Sequence, residues 1–139
     1  MKKSKYTYLK DGFEGILYDT ESEDDRLLIV IQGLKGLELP EKYAGLFAEK
    51  GYSVLAMTYY GAPGLPDTMR AIPLEMFQTA VDRMKEYGSG KYRRFGIYGN
   101  SKGAGMALLA ASVVPDISLV IAASTFGHIM QGSGKADLD

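Results

Sequence analysis

The stretch Arg94 to Pro115, RFGIYGNSKGAGMALLAASVVP, constrains this chain more than any other. Phe95, Ile97 and Tyr98 form an apolar run of the kind that ends a buried strand. Gly99-Asn100-Ser101-Lys102-Gly103 then turns sharply. Helix-favouring residues run from Gly105 to Val114, and Pro115 stops them. Strand, G-x-S-x-G and helix in this order form a turn whose central residue is held in a strained backbone conformation. Its side chain then stands clear at the top of a sheet, the arrangement called a nucleophile elbow. A β-carbon at Gly99 or Gly103 would collide with the neighbouring strand or helix. Ala104 and Gly105 extend the small face, so the helix can sit close to the sheet. The alternative is an ordinary strand-to-helix turn whose serine caps the helix.

Two other motifs share these residues and fail on context. Tyr98-x-x-x-Lys102 matches the Tyr/Lys pair of short-chain dehydrogenases, which need the pair on a helix and a glycine-rich dinucleotide turn near the N-terminus. Tyr98 is at a strand end, and no G-x-G-x-x-G follows the first buried strand. A phosphate-cradling P-loop wants Gly before its Lys and Ser or Thr after it. Here Ser101 precedes Lys102 and Gly103 follows.

The rest of the chain supplies the sheet this turn needs. Tyr6 to Leu9, Asp11-Gly12, and Phe13 to Tyr18 read as a hairpin with an aspartate–glycine turn. Thr20 to Arg26 is an acidic surface loop. Arg26 to Ile31, RLLIVI, carries a continuous apolar run of strand length, as expected of a parallel strand covered on both faces. Gln32-Gly33-Leu34-Lys35-Gly36 follows as a flexible turn. Pro40 to Lys50 predicts an amphipathic helix with Tyr43, Leu46 and Phe47 inward and Gly51 as its stop. Ser53 to Met57 is the next strand, followed by the loop that carries Tyr59, Tyr60 and GAPGLPDTMRAIP, long enough to be functional. Leu74 to Tyr87 predicts a second amphipathic helix with Phe77, Ala80, Val81 and Met84 on one face, broken by Gly88 to Gly90. After the elbow, Ser118 to Ala123 is a last apolar strand.

A hairpin followed by βαβαβαβ specifies a mostly parallel α/β sheet with helices on both faces. Ligands in such sheets bind beyond the carboxyl ends of the strands. The Gly33 loop, the Tyr59-to-Pro66 loop and the Ser101 elbow converge there, and the turn after Ala123 is expected to join them.

Composition narrows the partners. At 139 residues the chain makes one domain that buries about two thirds of its unfolded surface. Sixteen basic against seventeen acidic residues argue for neither nucleic acid nor an anionic membrane. The absence of cysteine excludes disulfides, thiolate metal sites and a cysteine nucleophile; no metal or other cofactor is implied. MKKSKYTYLK has no apolar run behind it to make a signal peptide, and no later stretch is long enough to span a bilayer. A cytoplasmic location is the expectation.

A serine hydroxyl needs a base to take its proton and donors for the oxyanion that forms on attack. In an elbow one donor is the backbone N–H after the nucleophile, here Lys102. The other comes from the turn after the third strand, with Leu34 the choice and Lys35 close behind it. The alternative is that the glycines there only permit a tight turn.

VIQGLKGLELPEKYAGLFAEKGYSVLAMTYYGAPGLP, IPLEMFQTAVDRMKEY and FGIYGNSKGAG together resemble a known family. It comprises the acyl-CoA thioester hydrolases and the C-terminal part of the bile acid–CoA:amino acid N-acyltransferases, dienelactone-hydrolase-like members of the α/β-hydrolase superfamily. The resemblance runs from about Tyr6 to Gln131. It implies an α/β-hydrolase-type sheet with an N-terminal antiparallel hairpin, with Ser101 attacking an acyl-CoA-like thioester or an ester. An Asp and a His from later turns would complete the triad. Only sixteen residues follow Ala123. The expectation is therefore a single, partial domain over 1–139 that lacks the last strands, the acid and the base, and is weak or inactive alone.

His128, the only histidine, is either a substitute base at the mouth of the site or a pocket-lining residue. Asp116 is at the wrong end of the elbow helix, and Asp137 and Asp139 lie in the tail. Tyr60 and Asp67, on an active-face loop, shape or line the pocket. Lys35 and Lys102 could meet CoA phosphates or simply be solvated. Two functions remain: the nucleophile-bearing part of a serine acyl-transfer hydrolase, or a non-catalytic α/β remnant that binds a small ligand or a protein. The apolar, uncharged edge at 118–123 also predicts self-association through the sheet edge.

Overall fold

The computed structural model describes residues 1–123. β1 (Lys2–Tyr6) and β2 (Glu14–Asp19) pair antiparallel through the short helix α1 (Tyr8–Asp11). β3 (Arg26–Ile31), α2 (Glu38–Glu49), β4 (Ser53–Thr58), α3 (Glu75–Glu86), β5 (Arg94–Asn100), α4 (Lys102–Val113) and β6 (Ile117–Ala123) follow. A single 3-10 turn at Tyr87–Ser89 closes α3. The strands form one sheet in the order β1-β2-β4-β3-β5-β6. β4, β3, β5 and β6 run parallel, and β2 joins β4 antiparallel. This is the expected mostly parallel α/β sheet with an antiparallel N-terminal pair.

The alternation of the strands divides the core between two faces. Leu17, Leu27, Ile29, Leu55, Met57, Phe95 and Ile97 pack against Phe77, Ala80, Val81 and Met84 of α3 and Met106, Ala107 and Ala110 of α4. Tyr18, Val30, Val54 and Ala56 pack against Ala44 and Ala48 of α2 on the opposite face. After the exposed Arg26 at its start, Leu27 to Ile31 is apolar because β3 lies under helices on both sides, with Leu27, Ile29, Val30 and Ile31 at most 2% exposed.

Two local expectations need correcting. Asp11-Gly12 is no two-residue hairpin turn. Asp11 accepts the Thr7 N–H at 2.9 Å and Glu14 accepts the Tyr8 N–H at 2.9 Å, so the chain coils into a helical turn. Gly12, at φ 82°, then closes that turn by donating its N–H to Tyr8. The first strand consequently starts earlier, at Lys2. In α2, Leu46 points outward and is 54% exposed. The helix faces the sheet through Pro40, Ala44 and Ala48, small side chains that bring its backbone close. Tyr43 and Phe47 are half-buried and lie against Tyr98, at ring separations of 6.0 and 5.4 Å.

β6 is the edge strand among the described residues, with Leu119 56% and Ile121 40% exposed. They lie on one wall of a groove of about 420 Å³ that also meets Leu28, Phe47 and Gly96, with Arg26 and Arg94 nearby. Among the described residues no helix is long and apolar enough to cross a membrane.

Candidate active site

Ile31 and Gly99 are register partners at the carboxyl ends of β3 and β5. The residues that follow, Gln32-Gly33 and Asn100-Ser101-Lys102, therefore emerge side by side. The chain order reverses here too, since β4 flanks β3 on one side and β5 on the other. Such a reversal opens a crevice at the strand ends, where ligands of α/β sheets bind.

Ser101 sits between β5 and α4 with φ 57° and ψ −121°. For a residue with a β-carbon this backbone conformation costs on the order of 1–3 kcal/mol, and the surroundings must hold it. Three contacts do so. The Ser101 N–H donates to the Ala123 carbonyl at 2.9 Å, which ties the turn to the end of β6. The Ser101 carbonyl accepts the Ala104 N–H at 3.0 Å. Gly99 and Gly103 touch directly: a β-carbon on Gly99 would lie 2.1 Å from the Gly103 carbonyl oxygen. The serine side chain is exposed and makes no capping bond to α4, so the capping-serine alternative does not hold.

The β3 loop is fitted to this turn. A β-carbon on Gly103 would lie 2.9 Å from the Gln32 backbone, and one on Gly33 would lie 2.9 Å from Lys102 Cβ and 3.4 Å from Lys102 N. Only glycine at both positions allows this approach. Beyond Gly33 the loop is tied to the chain after β4. The Tyr60 hydroxyl donates to the Gly33 carbonyl oxygen at 2.6 Å, and the Gly36 N–H donates to the Tyr60 carbonyl at 3.3 Å. Thr58 adds its hydroxyl to the same Tyr60 carbonyl at 3.0 Å. Between these ties Leu34, 61% exposed, and Lys35 form the tip.

Among the residues singled out in the sequence, Ser101, Lys102, Leu34, Lys35 and Tyr60 thus stand on three adjoining turns. Tyr60 is 3% exposed and its hydroxyl is committed to the loop. Asp67 is exposed further along the same connection. Asp116 lies at the far end of α4 and accepts from Lys85 at 2.9 Å and Gln78 at 3.2 Å, which hold its carboxyl below the usual range. His128, Asp137 and Asp139 lie outside the described residues. Sequence reasoning missed Gln32, which is 3% exposed and whose side-chain nitrogen has no partner among the described residues. A polar residue ending an otherwise apolar strand, as Gln32 ends β3, is the signal that could have marked it. Tyr59, whose phenol is pushed up by burial and by Tyr60 beside it, belongs to the core behind these turns and not to the site.

The sheet order, helix placement and strained serine turn define the α/β-hydrolase fold. Solved structures agree: an esterase from Pyrococcus furiosus superposes with a TM-score of 0.67 at 22% identity, over 89% of this chain and 49% of that one. In sequence, the resemblance to acyl-CoA thioesterases holds. The chain is 35% identical over 83 residues to rat acyl-coenzyme A thioesterase 1 and 36% identical over 83 residues to human acyl-coenzyme A thioesterase 1. Each match covers 60% of this chain and 20% of the relative, so the chain spans about a fifth of the curated relatives' length. No protein-family model matches it.

Proposed function

We propose that this chain carries the nucleophile of an acyl-transfer hydrolase acting on thioesters of the acyl-CoA kind or on related esters. The observation that carries the reading is the strained, exposed Ser101 on the turn between β5 and α4. Its Oγ attacks the acyl carbonyl, a C–O bond forms, and the C–S or C–O bond to the leaving group breaks. The serine proton passes to a base and then to the leaving thiolate or alkoxide. The oxyanion is met by the backbone N–H groups of Lys102 and Leu34, from the two turns that Gly33 brings into contact. Donors of this kind are worth about 3–4 kcal/mol each in the transition state. The sequence similarity to acyl-CoA thioesterases favours the thioester. His128 is the chain's only candidate for a histidine base, so turnover by this chain alone is expected to be slow.

Incubation with a medium-chain acyl-CoA tests the reading. Release of CoA thiol with an acyl mass on the Ser101 peptide supports it, and Ser101→Ala should show neither. Thiol release that persists in Ser101→Ala would contradict it. Binding of acyl-CoA with no acyl transfer at all would favour the non-catalytic alternative.

A further inference from the structure

We infer that Tyr60 is a positioning residue that aims the Leu34 N–H into the oxyanion site; the inference rests on the function proposed above. Tyr60 holds the loop after β3 at two points, with its hydroxyl on the Gly33 carbonyl at 2.6 Å and its own carbonyl on the Gly36 N–H at 3.3 Å. Only Leu34 and Lys35 lie between these anchors. The Gly33–Leu34 peptide is trans, so its C=O and N–H point in opposite directions. Fixing the carbonyl fixes the N–H.

The strand order gives the direction. Tyr60 follows β4 and Ser101 follows β5, and β3 lies between those strands. A Gly33 carbonyl drawn toward the residue after β4 turns the Leu34 N–H toward the side of β5. Gly33 is already within van der Waals reach of Lys102 there. The same geometry separates Leu34 from Lys35, because only the Leu34 N–H shares a peptide with the anchored carbonyl. Tyr60 itself is locked: it is 3% exposed, its ring lies 5.5 Å from that of Tyr59, and Thr58 holds its carbonyl. A donor aimed by so buried a group needs no reorganisation as charge develops.

The test is the rate at which a p-nitrophenyl alkylphosphonate labels Ser101, followed by p-nitrophenolate release. Serine Oγ bonds to phosphorus, p-nitrophenolate leaves and the serine proton goes to solvent. The phosphoryl oxygen that gains charge stands where an acyl oxyanion would. In Tyr60→Phe the ring stays and the hydroxyl is lost. Its limiting labelling rate should fall about ten- to a hundredfold, the cost of a misplaced group, with the half-saturating phosphonate concentration unchanged. Tyr59→Phe removes an equally buried hydroxyl that has no partner among the described residues, and should label at the wild-type rate. Wild-type labelling that Tyr60→Phe does not slow overturns this inference alone, as does an equal slowing in Tyr59→Phe. Failure of the wild-type chain to label overturns the proposed function and this inference with it. If Tyr60→Phe does not fold, the phosphonylated wild type decides. A downfield shift of the Leu34 amide proton on labelling supports the inference, and an unmoved Leu34 amide overturns it.

Discussion

Gly99 and Gly103 meet backbone to backbone across the turn that carries Ser101: a β-carbon on Gly99 would lie 2.1 Å from the Gly103 carbonyl oxygen. That contact lets α4 begin immediately after β5 and forces the serine between them out to the surface. Gly99→Ala cannot be relieved by a side-chain rotation, because the obstructing atoms are main chain. It should destabilise the domain by about 3 kcal/mol or more, at the upper end of overpacking costs. Gly103→Ala, whose clash with Gln32 is milder at 2.9 Å, should cost less. Urea unfolding of the two variants checks the ranking. Equal stabilities for Gly99→Ala and the wild type would mean the turn is not packed as described.

A second prediction concerns acid. Asp19, at the end of β2, accepts from the Glu21 N–H at 3.0 Å, the Tyr92 hydroxyl at 2.8 Å, the Tyr87 hydroxyl at 3.2 Å and the Lys91 ammonium. Burial by itself would raise its pKa. The bonds from Lys91, the Glu21 amide and Tyr92, with the Lys91 charge, more than reverse this and lower it to about 2. A carboxylate with a depressed folded pKa contributes stability that is present above its unfolded value of 3.8 and is lost as pH falls through about 2. The contribution at neutral pH is on the order of 2 kcal/mol. Unfolding free energy should therefore decline between about pH 5 and pH 2. In Asp19→Asn, stability should be lower at pH 7 and this part of the decline should vanish. A variant with an unchanged pH profile would contradict the assignment.

This cluster also shows where the sequence stops being readable. Most of β3, Leu27 to Ile31, follows from one physical fact, burial on both faces, which leaves an uninterrupted apolar run. The inward stripe of α3 at Phe77, Ala80, Val81 and Met84 is a helical period, and the elbow is a local steric pattern of glycines around a serine. Asp19 meets Lys91 across 72 residues and Tyr60 meets Gly33 across 27. No local period records such a pair. The Tyr8–Asp11 turn was missed because Asp11 and Glu14 make it with side chains, where Asp-Gly alone reads as a hairpin. Leu46 misled for a different reason. Hydrophobicity marked it as inward, whereas α2 docks through the small Ala44 and Ala48, which hydrophobicity ranks below it.

The β6 edge leads to a third expectation. Ile117–Ala123 carries no charge and no proline, the features that keep edge strands from pairing. An antiparallel pairing of two copies centred on Val120 would set Leu119 of one beside Ile121 of the other on the same face. Sedimentation velocity should show concentration-dependent association at micromolar protein, reduced in the Leu119→Lys, Ile121→Lys double variant. A 15.2 kDa monomer at all concentrations would contradict it.

Covalent labelling with a fluorophosphonate tests whether Ser101 is a nucleophile. Intact-mass and peptide analysis should show one adduct per chain, on the peptide containing Ser101, and none in Ser101→Ala. Labelling elsewhere, labelling that survives Ser101→Ala, or no adduct under conditions that label a known serine hydrolase would mean that Ser101 is not the nucleophile.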